Sequence, residues 1–203
     1  MDNQRTDFDT NAEALCLSFA NAFDIHENGK HEEMFKEYSD LVEWAQILKV
    51  IDRPLAQLLL HEANQNPEDA FAVLQSAWVL RKAIYNIFTS IAHHKSPEPG
   101  DLNILNVALS DTLVHYRIEL NKEGFIWGWN NTPALDQMIW YVIRDTADLL
   151  TGDSLNRIGQ CTNVTGCGWL FLDTSRNRSR RWCSMETCGN RAKAMRHYQR
   201  MKY

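Results

Sequence analysis

Four of the five cysteines in this 203-residue chain fall within its last 43 residues, at Cys161, Cys167, Cys183 and Cys188, in the pattern C-x5-C-x15-C-x4-C. Two turn-sized pairs joined by a short segment can supply four thiolates from a piece too small to fold on an apolar core, which is the arrangement tetrahedral zinc requires. A redox pair fits less well, because neither interval is the C-x-x-C that depresses the pKa of a nucleophilic thiol. Disulfides are disfavoured too. The first twenty residues lack a basic region leading into an apolar run, and no segment reaches the roughly 18 apolar residues of a membrane span. The chain is therefore expected in the cytoplasm, where thiols stay reduced, and without a membrane partner. With all four ligands protein thiolates, the expected cofactor is one structural Zn2+ per chain, with no open position for hydrolysis.

The sequence between and after the cysteines predicts the elements that gather them. "WLFLD" (169–173) reads as a strand, "TSRN" (174–177) as a turn and "RSRRWC" (178–183) as a returning strand. Cys188 then opens a helix, "RAKAMRHYQRMKY", so the module is expected to be a treble-clef-like finger, a β-hairpin plus a helix. Upstream the pattern is helical. Ser39-Asp40 precede "LVEWAQILKV", Pro54 suits a first turn, Pro67-Glu68-Asp69 open a long amphipathic run, "SPEPGD" (96–101) breaks it, and Pro133 starts another helix. "LVHYRIEL" and "FIWGW" flank Asn121-Lys122-Glu123-Gly124 and predict one small β-hairpin. The fold class is mainly α, with an α-helical N-terminal domain (1–155) followed by the finger (156–203); the border is placed in "TGDSLNRIGQ" (151–160).

The stretch "CGWLFLDTSRNRSRRWCSMETCGNRAKAMRHYQR" resembles the CGNR zinc finger, named for the motif formed here by Cys188, Gly189, Asn190 and Arg191. In that family the finger follows an α-rich bacterial domain called ABATE, and "LCLSFANA" (15–22), "LRKAIYNIF" (80–88) and "DLLTGD" (148–153) are similar to its landmarks. The resemblance implies a stress-related transcription regulator.

Charge divides the chain at the same place. Residues 161–203 hold nine Lys or Arg against Asp173 and Glu186, a count of +7, leaving twelve basic and twenty-four acidic residues, or −12, to 1–160. Four thiolates with one Zn2+ lower the finger to about +5. A cationic module on an acidic body suits a polyanion, and the expected partner is double-stranded DNA. The candidate contacts are Arg176, Arg178, Arg180 and Arg181 at the hairpin, and Asn190, Arg191, Lys193 and Arg196 at the helix. Asn190 and Asn177 suit a cap or turn better than adenine recognition, and Arg181 has a structural alternative in stacking on Trp182 or pairing with Asp173.

The body is then expected to sense a small-molecule effector or to form a homodimer. Asn21 in "SFANAF" and Arg81 in "WVLRKAIYNIF" are the polar residues inside apolar helical patterns and the candidate effector ligands, Arg81 having an ion pair with a local acid as its alternative. Trp127 and Trp129 suit a bulky core or a pocket wall, Cys16 a buried hydrophobe, and His93-His94 a helix C-terminus. No nucleophile stands at recognisable spacing from a base, and neither a phosphate-binding glycine loop nor H-E-x-x-H occurs, so an enzyme is not expected. The alternative function is a zinc-stabilised protein- or RNA-interaction module without sequence-specific DNA binding.

Overall fold

The computed structural model describes residues 14–25, 31–130, 133–163 and 167–201. Its elements run α1 (Leu15–Ala20), β1 (Phe23–Ile25), β2 (His31–Glu33), α2 (Tyr38–Ile47), α3 (Arg53–Gln65), α4 (Pro67–Ala92), α5 (Pro99–Leu113), β3 (Tyr116–Asn121), β4 (Gly124–Trp129), α6 (Gln137–Thr151), β5 (Ile158–Gln160), β6 (Leu170–Leu172) and α7 (Asn190–Met201). The strands form three two-stranded antiparallel ribbons, β1–β2, β3–β4 and β5–β6. None of the described helices is long and apolar enough to cross a membrane.

Helix starts follow from local chemistry. Proline stands in the first turn of α3, α4 and α5, where its missing N–H breaks no helical bond, and the Asp52 carboxylate accepts the Leu55 N–H at 2.9 Å to cap α3. The α2 cap is Glu37 rather than Ser39-Asp40, with Asp40 accepting the Glu37 N–H at 2.8 Å in a reciprocal capping box. Helix α6 begins at Gln137, later than Pro133; Leu135 ahead of it is held by the Tyr38 hydroxyl, which donates to its carbonyl at 2.7 Å.

The 26-residue α4 is the central element, burying Leu74, Ala77, Leu80, Ile84, Ile87 and Phe88 along one stripe. Phe19, Phe35 and Trp44 meet beside it with ring centroids 5.5 to 5.8 Å apart. From α6, Met138, Ile139, Val142 and Ile143 join the same core. This body closes almost wholly by apolar burial.

One pairing differs from the sequence expectation. Strand β6 pairs with β5, in the register Ile158↔Leu172, Gly159↔Phe171 and Gln160↔Leu170, while residues 178–182 form no strand. Ile158 and Leu170 lie in the same core cluster as α1, α4 and α6, so the ribbon gains from the body the apolar cover that a two-stranded piece cannot give itself. The returning segment contacts the ribbon more sparsely, the Arg181 carbonyl accepting the N–H and hydroxyl of Thr162, each at 3.0 Å.

Candidate metal centre

Cys161 follows β5 and Cys167 precedes β6, so one ribbon positions two thiols. Cys183 sits beyond the hairpin turn, and Cys188 lies in the wide turn Met185–Gly189 that runs into α7. Ser184 opens that turn, its side chain accepting the Thr187 N–H, and Gly189 donates its N–H to the Ser184 carbonyl at 2.9 Å. The Met185 thioether packs over Gly189, 2.7 Å from where a Cβ would stand.

The four sulfur atoms all lie within 4.8 Å of one another. Cys183 Sγ is 3.6 Å from Cys167 Sγ and 3.6 Å from Cys188 Sγ. Four sulfurs each about 2.3 Å from a shared Zn2+ would stand about 3.8 Å apart, whereas a disulfide requires about 2.05 Å. The donor set fits a tetrahedral thiolate centre, and all four cysteines are unbridged.

Electrostatics inside the cluster favour the same reading. Hydrogen bonds from the Cys167 and Cys183 thiols hold Cys161 far below the ordinary thiol range, to about 2. The hydrogen bond to Cys161 pushes Cys167 up to about 12, and the same partner drives Cys183 higher still. Sulfurs this close do not all ionise unless a cation compensates them. Backbone N–H groups of Asn163 and Cys183 point at Cys161, that of Trp169 at Cys167, and Asn163 Nδ2 donates to Cys188 Sγ at 3.3 Å. Such outer donors orient thiolate ligands and spread their charge.

Two further residues hold the finger's frame. Arg180, expected among the DNA contacts, donates instead to the carbonyls of Trp182 (3.0 Å), Leu172 (3.1 Å) and Cys183, and its guanidinium lies 4.7 Å from the Phe171 ring centroid. Its planar fork is consumed inside the finger. Asp173 is buried and accepts the Ser175 and Arg180 N–H groups, each at 2.9 Å, so the carboxylate pins the turn's ends rather than pairing with Arg181. Burial alone would raise its pKa, but the hydrogen bonds from Ser175 and Arg180 outweigh it and hold the group below its usual value. Asp173 two residues before Ser175 is a turn signature that was readable in the sequence; the roles of Asn163 and Arg180 had no such signal.

The remaining basic candidates are exposed: Arg176, Arg178, Arg181, Arg191, Lys193 and Arg196. Arg181 and Arg196 place their guanidinium carbons 5.5 and 6.0 Å from the Trp182 ring centroid. Asn190, also exposed, donates to the Glu186 carbonyl at 3.0 Å, the capping role that its residue type favours. Arg178 takes a left-handed φ of 49° in the turn, unusual for a non-glycine residue.

The metal loop is wired to the body. Asn21, expected as an effector ligand, is buried and grips the β6 backbone, accepting the Leu170 N–H at 2.8 Å and donating to the Leu170 carbonyl at 2.9 Å. The Gly168 carbonyl, next to Cys167, accepts the Tyr85 hydroxyl at 3.0 Å and Gln160 Nε2 at 3.1 Å. Trp169 Nε1 donates to the Phe23 carbonyl at 3.3 Å. His93, at the end of α4, meets Gln160 Oε1 at 2.7 Å.

Arg81 pairs with Glu33, its terminal nitrogen 2.6 Å from Oε2 with the side chain 14% exposed, and its guanidinium carbon lies 5.5 Å from the Phe23 ring centroid. The ion-pair alternative is thus the one that the structure realises. Neither Asn21 nor Arg81 lines the cleft of about 710 Å³ between α4, α5 and α6, whose walls include Ser76, Val79, Ile104, Asp111 and Ile139. Trp129 packs on Trp140 and Tyr141, whereas Trp127 is largely exposed and stacks on Tyr116.

Residues 13–153 match the ABATE family model, described as "Putative stress-induced transcription regulator". Residues 157–201 match the model of the CGNR zinc finger. No curated protein matches the chain.

Proposed function

Because this chain belongs to the ABATE family and carries a CGNR zinc finger, we propose that it is a zinc-dependent DNA-binding transcription regulator. One zinc ion bound by Cys161, Cys167, Cys183 and Cys188 shapes the finger, the finger contacts duplex DNA, and the helical body senses a ligand or dimerises. The observation that carries this reading is a division of labour among the finger's cations. Arg180 serves the fold, while Arg176, Arg178, Arg181, Arg191, Lys193 and Arg196 remain at the surface, where phosphates are reachable. Arg191 and Lys193 stand in the first turn of α7 and are the side chains assigned to base edges; Arg178 and Arg196 are assigned to phosphates. The cleft between α4, α5 and α6 offers a sensing domain its volume.

Binding selection on random duplex DNA with an RNA competitor tests the reading. Enrichment of one duplex motif, with an affinity that falls about three to five powers of ten per tenfold rise in salt, is the expected result. A second reading draws on α7, which exposes Met195, Tyr198 and Met201 beside its basic residues. An apolar strip of that kind suits a protein partner. Zinc-loaded protein without DNA affinity at low salt would favour that docking role.

A further inference from the structure

The β3–β4 ribbon presents a surface that its own chain does not cover. In its register Tyr116 faces Trp129, Ile118 faces Trp127 and Leu120 faces Phe125, and alternation along the strands puts these three pairs on one side. The pair at the foot is anchored, Trp129 against Trp140 and Tyr141 of α6. Beyond it the face runs into solvent. Ile118, Trp127, Leu120 and Phe125 are 54, 59, 73 and 78% exposed, together on the order of 500 Å² of apolar surface.

The other side of the ribbon is mostly polar, with Ile126 its one large apolar residue, 43% exposed. Arg117 and Glu119 form an ion pair there at 2.9 Å, and the Glu119 side chain lies over Gly128. A two-stranded ribbon with one apolar face is marginal in water unless something packs on that face. Of the stretches outside the described residues, the longest, 1–13, brings only Met1 and Phe8 as large apolar side chains.

We propose that this face is covered by a second copy of the chain, ribbon against ribbon across a two-fold axis. Charge and area argue for that occupant. Residues 1–160 count −12, so two bodies repel except where charge cancels. The ribbon is such a place: Arg117 and Lys122 balance Glu119 and Glu123, the four exposed apolar residues bring no charge, and the Arg144 guanidinium over Tyr116 at the foot of the face is paired with Asp148. Two copies meeting on it bury about 1,000 Å², the lower bound for a specific association, so the dimer is a moderate one that dissociates on dilution. A two-fold interface is self-complementary by construction, which suits a patch whose recognition is purely apolar. It also delivers two fingers, and one finger alone covers too little duplex for useful specificity.

Sedimentation of the zinc-loaded full chain over a dilution series tests this, alongside the double variant L120E/F125E. These side chains are mostly in solvent, so the variant's helix content and zinc content should be unchanged. Its dimer dissociation constant should rise by about thirtyfold or more. Arg117→Ala, on the opposite side, should leave the dimer intact. If the glutamate variant fails to fold, the concentration-dependent emission change of the unaltered chain that is lost in Trp127→Phe, one of seven tryptophans, reports burial of the face instead. A wild-type chain that stays monomeric throughout the series, or a dimer that survives the glutamates unchanged, overturns the proposal.

Discussion

The body and the finger are held together by opposite kinds of contact. In the body, Phe19, Trp44, Leu74, Ile84, Phe88 and Met138 disappear from solvent, and the buried polar side chains Ser18, Asn21, Thr112 and Thr146 are a minority. Beyond β6 the relation reverses: α7 buries no residue, and the segment's order comes from sulfur, a guanidinium and a carboxylate. Between them lies β5–β6, carrying two of the four cysteines but burying Ile158 and Leu170 in the body's core. The lesson is that a metal module need not be a separable bead. Two of its four cysteines flank strands that the body's hydrophobic packing holds, and the other two stand on a segment that packing does not reach.

The sharpest break of this comparison is metal removal. Chelation, or Cys183→Ser, should release 174–201 while α1 to α6 and the β5–β6 ribbon persist, since apolar burial does not depend on the ion. Hydrogen exchange should show 185–201 losing protection and α4 keeping it. Loss of protection in α4 as well would dissolve the distinction. Acid should act in the same order, because bound thiolates stabilise the finger at neutral pH and that contribution is lost as falling pH protonates them.

Next in size is the clamp between the regions. Asn21→Ala leaves the Leu170 N–H and carbonyl buried without their partner, at a cost of about 3 kcal/mol. Calorimetry should find the melting temperature lower by roughly 10 °C, with the metal stoichiometry unchanged.

Arg180→Ala should behave conversely, weakening metal retention about 10- to 100-fold in chelator competition while the melting of the body scarcely moves. Arg180→Lys should not rescue it, since an ammonium cannot span three carbonyls with one planar fork. The smallest effect belongs to Arg178→Ala: no change in metal retention, and a salt slope of DNA binding shallower by about 0.9. Equal effects of the two arginines on metal retention would erase the proposed division between frame and surface.

What was legible in the sequence follows the same contrast. Prolines 54 and 67 marked helix starts because they act locally, while Pro99, read as part of a break, also opens a helix and Pro133 stands four residues ahead of one; Asn121 to Gly124 marked a hairpin because Gly124, at φ 127°, takes a conformation other residues resist. The cysteine spacing announced the cluster because two spaced pairs supply the four ligands that a tetrahedral ion takes. The pairing of β6 with β5 was not legible, since it rests on burial of Ile158 and Leu170 in the body's core, and the free edge of β6 is held by the Asn21 amide, 149 residues away in sequence. Nor was Arg180 distinguishable from Arg178: two positions in an arginine-rich run differ only once Leu172, Trp182 and Cys183 turn their carbonyls toward one of them. The three-residue ribbon β1–β2 was too short to leave an alternation.

The Gly168 carbonyl is one acceptor shared by two accounts. It receives the Tyr85 hydroxyl from the middle of α4, and it sits one peptide bond from the Cys167 ligand. A lever whose fulcrum is a single oxygen works in both directions. Linkage through such a shared acceptor is reciprocal: if a filled cluster favours one seat of Tyr85, that seat favours the filled cluster by the same free energy.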